Sequence, residues 1–216
     1  MSQNSLILYG YWRSSASWRV RWALEHKGID YEYVAVNLLK GEHRAPANMA
    51  RNPSGLVPSL QLEDGKTYLS QSMAILNFLE EAYPAGARLF PQDPIFKAQV
   101  IGLCEIINAD TAPLQKPLVF KKHSASEEEG TKWAQHWIRE GLSAFDRASA
   151  PLRGAFSFGN TSTAADMLLV PQIYNALRYN LDVANEFPAL NEIYKESFKL
   201  EACQKSSPEA QKDAVP

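Results

Sequence analysis

Two pairs of side chains in this sequence have the types and spacing to handle an anion. In "RSSASW", residues 13–18, Ser14 and Ser15 stand side by side ahead of a helix-like run. In "SQSMAI", residues 70–75, Gln71 and Ser72 stand the same way. A helix N-terminus carries unpaired N–H groups and the positive end of the helix dipole. A hydroxyl or amide added there can hydrogen-bond a carboxylate or a thiolate, and stabilising a thiolate lowers the thiol pKa. Serines in such places also act as plain N-caps, and the spacing alone leaves both uses open. A third candidate is Arg178, three residues after Asn175 on one side of a helical run. Its guanidinium could fork onto a substrate carboxylate, or it could be a solvated surface charge.

These residues need elements to hold them. Residues 6–9 have strand character. From Ser15, residues Ala16, Val20, Ala23 and Leu24 recur at helical spacing, with Arg19, Arg21, Glu25 and Lys27 pointing elsewhere. Gly28 stops that helix. Residues 31–36 alternate as a second strand, and an irregular stretch with room for one short helix follows. Residues 59–62 and 67–69 read as short strands joined by Asp64-Gly65, a hairpin signal. Residues 71–82 are again helical. The order β-α-β-(α)-β-β-α is the crossover plus hairpin of a thioredoxin-like unit.

Within that order Pro58 stands just before a strand. In a thioredoxin-like unit a cis-proline bend at this place exposes the backbone of the preceding residue, here Val57. Its N–H and C=O can then pair with a peptide-like ligand as an added strand would. An ordinary strand-initiating proline is the alternative.

The stretch "YPAGARLFPQDP" reads as a linker. Beyond Pro94 the pattern is helical over 96–108, 127–148, 164–179 and 190–199. Thr163 and Asp166 have capping-box spacing. Trp133, Trp137, Tyr174 and Tyr179 read as core, and the polar residues from Lys205 read as a loose tail. The expected fold class is α/β followed by all-α: a thioredoxin-like domain at 1–84, a linker at 85–94 and a helical domain at 95–216.

Composition removes several function classes. The net charge of −2 offers no basic excess for nucleic acid or a membrane surface. No apolar run approaches the ~20 residues of a membrane span, and the start of the chain has no signal-peptide pattern. Cys104 and Cys203 are far apart and form no CxxC, which fits a reduced, cytoplasmic protein. The four histidines, His26, His43, His123 and His136, lie in no metal-ligand spacing with the cysteines, so no metal is expected.

Taken in order, these stretches resemble the glutathione transferase superfamily over nearly the whole chain. Within it they are similar to the zeta class, the maleylacetoacetate isomerases. The resemblance is carried by "LYGYWRSSASWRVRWALEHKGIDYE", "NPSGLVPSL", "SQSMAILNFLEE", "RLFPQDP" and "TAADMLLVPQIYNALRY". It implies a homodimer that binds glutathione on the thioredoxin-like domain and a small acidic or electrophilic second substrate against the helices. Ser14 would face the glutathione sulfur with Ser15 in support. Val57, at its bond to Pro58, would pair with the cysteinyl backbone, and Gln71 and Ser72 would hold the γ-glutamyl end. His43 and Gln115 join the implied glutathione contacts, and Arg178 matches an arginine that meets substrate carboxylates. The implied reaction is glutathione-assisted cis–trans isomerisation.

The chain also departs from that class. Ala16 stands in place of the signature cysteine, and His43 in place of an amide residue. Ala112 and Lys116 replace residues that are often polar and Asn, and "SSPEAQKD" lacks the histidine of the class's tail. A transferase acting on another electrophile, or a non-catalytic binding scaffold, therefore stays open beside the isomerase.

Overall fold

Leu6 and Leu8 project from the same side of a strand and are both buried, which anchors the first unit. In the computed structural model, which describes residues 5–215, this strand is β1 (Leu6–Gly10). Residues 1–4 and 216, and the side chains of Lys121 and His123, lie outside the described residues. Two compact units form: Met1–Leu89 with Leu200–Pro216, and Phe90–Lys199.

In the first unit a helix α1 (Ser15–Lys27) leads to β2 (Tyr31–Ala35), which lies parallel to β1. A single 3₁₀ turn, Glu42–Arg44, and helix α2 (Pro46–Arg51) fill the irregular stretch. Strands β3 (Ser59–Gln61) and β4 (Tyr68–Ser70) follow, each antiparallel to its neighbour. Helix α3 (Ser72–Ala82) completes the β-α-β-α-β-β-α order, and the sheet runs β2-β1-β3-β4. The hairpin loop is longer than a two-residue turn: Leu62 N–H donates to Thr67 C=O. Asp64 closes it by accepting from the Lys66 and Thr67 amides and the Thr67 hydroxyl.

Helix α1 departs from expectation in a way that matters for the site. Arg19, Arg21 and Lys27 do not point to solvent; all three are buried. The cause is a second cover. Helix α10 (Glu201–Ser206) packs on α1 from one side while α3 packs from another. The residues from Lys205 are therefore not a loose tail of the helical domain. They belong to the first unit, where the Trp18 indole donates to the Ser206 hydroxyl and Arg21 Nε donates to the Ser206 carbonyl. The segment after α3 is also tied down: buried Glu80 accepts from Lys27 Nζ at 3.1 Å and from the Leu89 amide at 2.9 Å.

The second unit holds α4 (Pro94–Glu105), α5 (Pro117–His123), α6 (Glu127–Ser149), α7 (Ala164–Arg178), α8 (Val183–Glu186) and α9 (Pro188–Ser197). Helix α4 starts at Asp93, whose carboxylate accepts from the Ile95 and Phe96 amides with Pro94 at the first position. A π-turn, Ile106–Thr111, extends α4 and lets Thr111 nest against α6 at Gly141. A Cβ at Gly141 would lie 1.9 Å from Thr111 Oγ1, so this close approach admits only glycine. Helix α7 begins with the expected capping box: Asp166 accepts from the Thr163 and Ser157 amides and is fully buried. Trp133, Trp137, Tyr174 and Tyr179 are half-buried rather than core.

Candidate active site

Sheet register brings four chain crossings to one end of the first unit. Tyr9 pairs with Ser59, and Ser59 pairs with Ser70. Gly10 pairs with Ala35, and the Val36 amide donates to the Gly10 carbonyl. The turn leading to Ser14, the entry to β3 at Val57-Pro58, the exit from β4 to Gln71 and the exit from β2 toward His43 therefore share that end. Crossings at the carboxyl end of a parallel strand pair are where an α/β unit commonly binds its ligand.

Ser14 is the N-cap of α1. Its Oγ accepts from the Ser17 amide at 3.2 Å, in extended backbone geometry. The hydroxyl thus spends a lone pair on the helix and keeps its proton for another acceptor. Its own amide donates to the Tyr11 carbonyl at 3.0 Å, which closes the turn from β1. Ser15 is the first residue of the helix and half-buried. Ala16 follows it without a polar group.

The Val57–Pro58 peptide is cis, as the motif predicts. Pro58 is buried, while Val57 is half-buried. Among the described residues, no backbone hydrogen bond engages the Val57 N–H or C=O.

Gln71 has φ 70° and ψ 115°, a backbone region that costs a non-glycine residue about 1–3 kcal/mol. Its side chain makes no cap bond to α3. Ser72 behind it is buried, and its hydroxyl accepts from Arg19 Nη1 at 3.2 Å. Arg19 thereby carries a buried positive charge from α1 to the first turn of α3, at the helix end already electropositive from its free amides.

His43 sits on the Glu42–Arg44 turn, half-buried. Its carbonyl accepts from the Asn48 amide group, and its Nδ1 is buried without a hydrogen-bond partner among the described residues.

Gln115 and Arg178 belong to the second unit. The Gln115 amide is buried and exchanges two hydrogen bonds with Gln172, at 2.7 and 3.0 Å. That pairing engages both ends of its amide. Arg178 is exposed at the end of α7, with Asn175 half-buried three residues before it. The structure thus groups Ser14, Ser15, His43, Val57, Pro58, Gln71 and Ser72 on one unit, with Gln115 and Arg178 on the other. Sequence reasoning did not place Arg19 beside these candidates. Its signal was available only as a charge on a helix that carries Trp18, Val20 and Trp22 around it. No group of acidic, histidine or cysteine side chains among the described residues is arranged to hold a metal ion. No helix there is long and apolar enough to cross a membrane.

A mixed four-stranded sheet with a cis-proline crossing and two serine-headed helices defines a thioredoxin-like, glutathione-transferase-type protein. The family model for the glutathione S-transferase N-terminal domain matches residues 4–81. The chain is 42% identical over 214 residues to a maleylacetoacetate isomerase of Rhizobium meliloti, covering 97% of this chain and 99% of that protein. A maleylacetoacetate isomerase from Anaeromyxobacter dehalogenans, solved with bound GSH in its active site, superposes with a TM-score of 0.89 at 42% identity, covering 98% of each chain. The same protein solved with dicarboxyethyl glutathione and citrate in the active site gives a TM-score of 0.88 at 42% identity, again covering 98% of each chain. The chain belongs to the glutathione S-transferase family, in its group of zeta-class transferases and maleylacetoacetate isomerases.

Proposed function

We propose that this protein is a glutathione-dependent cis–trans isomerase acting on a small unsaturated diacid or keto acid of the maleylacetoacetate type. The observation that carries this reading is the convergence of Ser14, Val57, Gln71 and Ser72 at one end of the sheet. The relative solved with bound GSH, and with dicarboxyethyl glutathione and citrate, supports it.

Glutathione would pair its cysteinyl backbone with Val57. Its γ-glutamyl carboxylate would meet Gln71, Ser72 and the first turn of α3, with Arg19 adding positive charge behind Ser72. Ser14 would donate its hydroxyl proton to the sulfur, and the α1 dipole would favour the same thiolate. Ser15, beside it, and His43 complete the proposed contacts on this unit; Gln115, whose amide is paired with Gln172, is not assigned one, and Arg178 is the candidate on the second unit for a substrate carboxylate. The thiolate then adds to the conjugated cis double bond. A C–S bond forms, and the π electrons move onto the carbonyl as an enolate. Rotation about the resulting single bond is followed by collapse of the enolate, which re-forms the double bond as trans and expels the thiolate.

The same proposal makes the protein a cytoplasmic homodimer acting in aromatic amino-acid catabolism. Cys104 and Cys203 are both buried and not joined in a disulfide, which suits a reducing compartment. Sedimentation reads the assembly.

Ala16 favours one second reading. Without a thiol beside Ser14, the activated glutathione would serve conjugation to another electrophile, such as an α-halo acid. Maleylacetone turnover with and without glutathione decides between them. Glutathione-dependent isomerisation supports the main reading. Retention on glutathione-agarose with no isomerisation favours the second, and no retention defeats both.

A further inference from the structure

Trp12 is gripped through its backbone by two opposite charges. Its carbonyl accepts from Arg21 Nη2 at 2.9 Å, and its amide donates to Asp213 Oδ2 at 3.0 Å. Arg21 Nη1 also reaches the Tyr11 carbonyl at 3.4 Å, the same oxygen that accepts the Ser14 amide. Arg21 is fully buried, and burial pulls its pKa down while Tyr33, Tyr31 and Asp213 oppose that. A buried guanidinium needs acceptors and a counter-charge to remain in place. Besides the Tyr11 and Trp12 carbonyls, the last segment of the chain supplies one acceptor, the Ser206 carbonyl at 2.8 Å from Nε, and the counter-charge, the Asp213 carboxylate. Tyr33 completes the cluster, donating from its hydroxyl to Asp213 with its ring 5.7 Å from the guanidinium carbon.

We propose that Asp213 is a positioning residue for the thiol chemistry: with Arg21 it fixes the Tyr11–Trp12 backbone, and so sets where Ser14 presents its hydroxyl. This rests on the functional reading above. Asp213 lies 201 residues from Trp12 in sequence and touches neither Ser14 nor the proposed ligand contacts at Val57, Gln71 and Ser72. It acts through two linked peptides. The segment that folds over α1 is therefore part of the active-site frame and not a mere cover.

The titratable groups around this carboxylate are Arg21, Tyr33 and, beyond them, Tyr31. The experiment compares the parent with Asp213→Ala and Asp213→Asn. Asn keeps an oxygen for the Trp12 amide and loses the charge that faces Arg21. Three readouts are taken: amide hydrogen exchange at Trp12 and Ser14 without ligand, glutathione affinity, and the ultraviolet thiolate signal of bound glutathione against pH, alongside kcat. In the Ala variant, exchange at both amides rises, the thiolate midpoint moves to higher pH, and kcat falls about tenfold while the glutathione Kd stays within about twofold. Asn lies between Ala and the parent. A folded Ala variant with unchanged amide exchange, thiolate midpoint and kcat overturns the proposal. If Ala does not fold, an Asn variant equal to the parent in all three overturns it instead. A parent that binds no glutathione defeats the functional reading and this inference with it. A parent that forms the thiolate beside variants that match it defeats the positioning role alone.

Discussion

Arg19 Nη1 and Ser72 Oγ lie 3.2 Å apart, both buried, and join the N-terminal halves of α1 and α3. The two serine-headed helix ends are thus one construction: Ser14 caps α1, and α1 sends Arg19 across to the first turn of α3. Ser72→Ala removes an acceptor from a buried guanidinium, which lowers the unfolding free energy by about 1–3 kcal/mol. Glutathione affinity falls with it. Ser72→Thr retains the hydroxyl and recovers both. Denaturant titration and calorimetric binding read these outcomes, and an Ala variant equal to the parent in both would remove the Arg19–Ser72 contact from the site.

Gln71 should show stability and function moving apart. Its φ of 70° strains a side-chain-bearing residue by about 1–3 kcal/mol, against about 1 kcal/mol of entropy that glycine loses on folding. Gln71→Gly is therefore expected to hold or raise the melting temperature while weakening glutathione binding. A variant that melts well below the parent would show that the Gln71 side chain supports the fold.

Ser14 has two duties that substitution can separate. Ser14→Ala loses the bond to the Ser17 amide, at a cost of about 1 kcal/mol, together with the hydroxyl. Ser14→Asn keeps a good N-cap but has no hydroxyl. Both variants should lose on the order of a hundredfold in kcat. Only Ala should lose stability. An Asn variant with parental kcat would assign Ser14 to capping alone.

His26 gives stability a pH dependence of defined sign. Burial lowers its pKa below the ordinary 6.5, and Lys27 adds to that, while the Arg88 backbone and Glu80 act in the opposite direction. The unfolded chain then binds the proton more readily than the folded one. Above 6.5 both states are neutral and the group contributes nothing. As pH falls through 6.5 toward the lower folded value, the unfolded state is favoured and stability declines. His26→Gln should flatten that part of the curve in thermal melts between neutral and mildly acidic pH. An unchanged slope would assign it to other groups.

Much of the first unit was legible in sequence because local signals agreed with one another. The Gly28 stop, the Asp64-Gly65 loop and the proline before β3 each act over a few residues, and each stands where expected. That Ser14, Val57, Gln71 and Ser72 stand at helix starts and a strand entry was legible for the same reason: hydroxyls and amides ahead of helical runs, and a proline before a strand. The errors about α1 and the end of the chain have one source. Arg19, Arg21 and Lys27 were assigned to the polar face of an amphipathic helix, and the residues from Lys205 to a loose tail. Each assignment is reasonable when the other is unknown.

By itself, then, the sequence determined the order of elements and the identity of the groups at the helix starts, because capping, turn chemistry and periodicity are local. Only the tertiary structure decided that α1 is covered on more than one side. Burial of Arg21 depends on an acceptor at Ser206 and a counter-charge at Asp213, both more than 180 residues away, and no periodicity within α1 can report them. It also decided that the Ser14 turn is held from the far end of the chain. That follows from sheet register and helix packing, where the favourable partner for a buried charge is set by what folds against it.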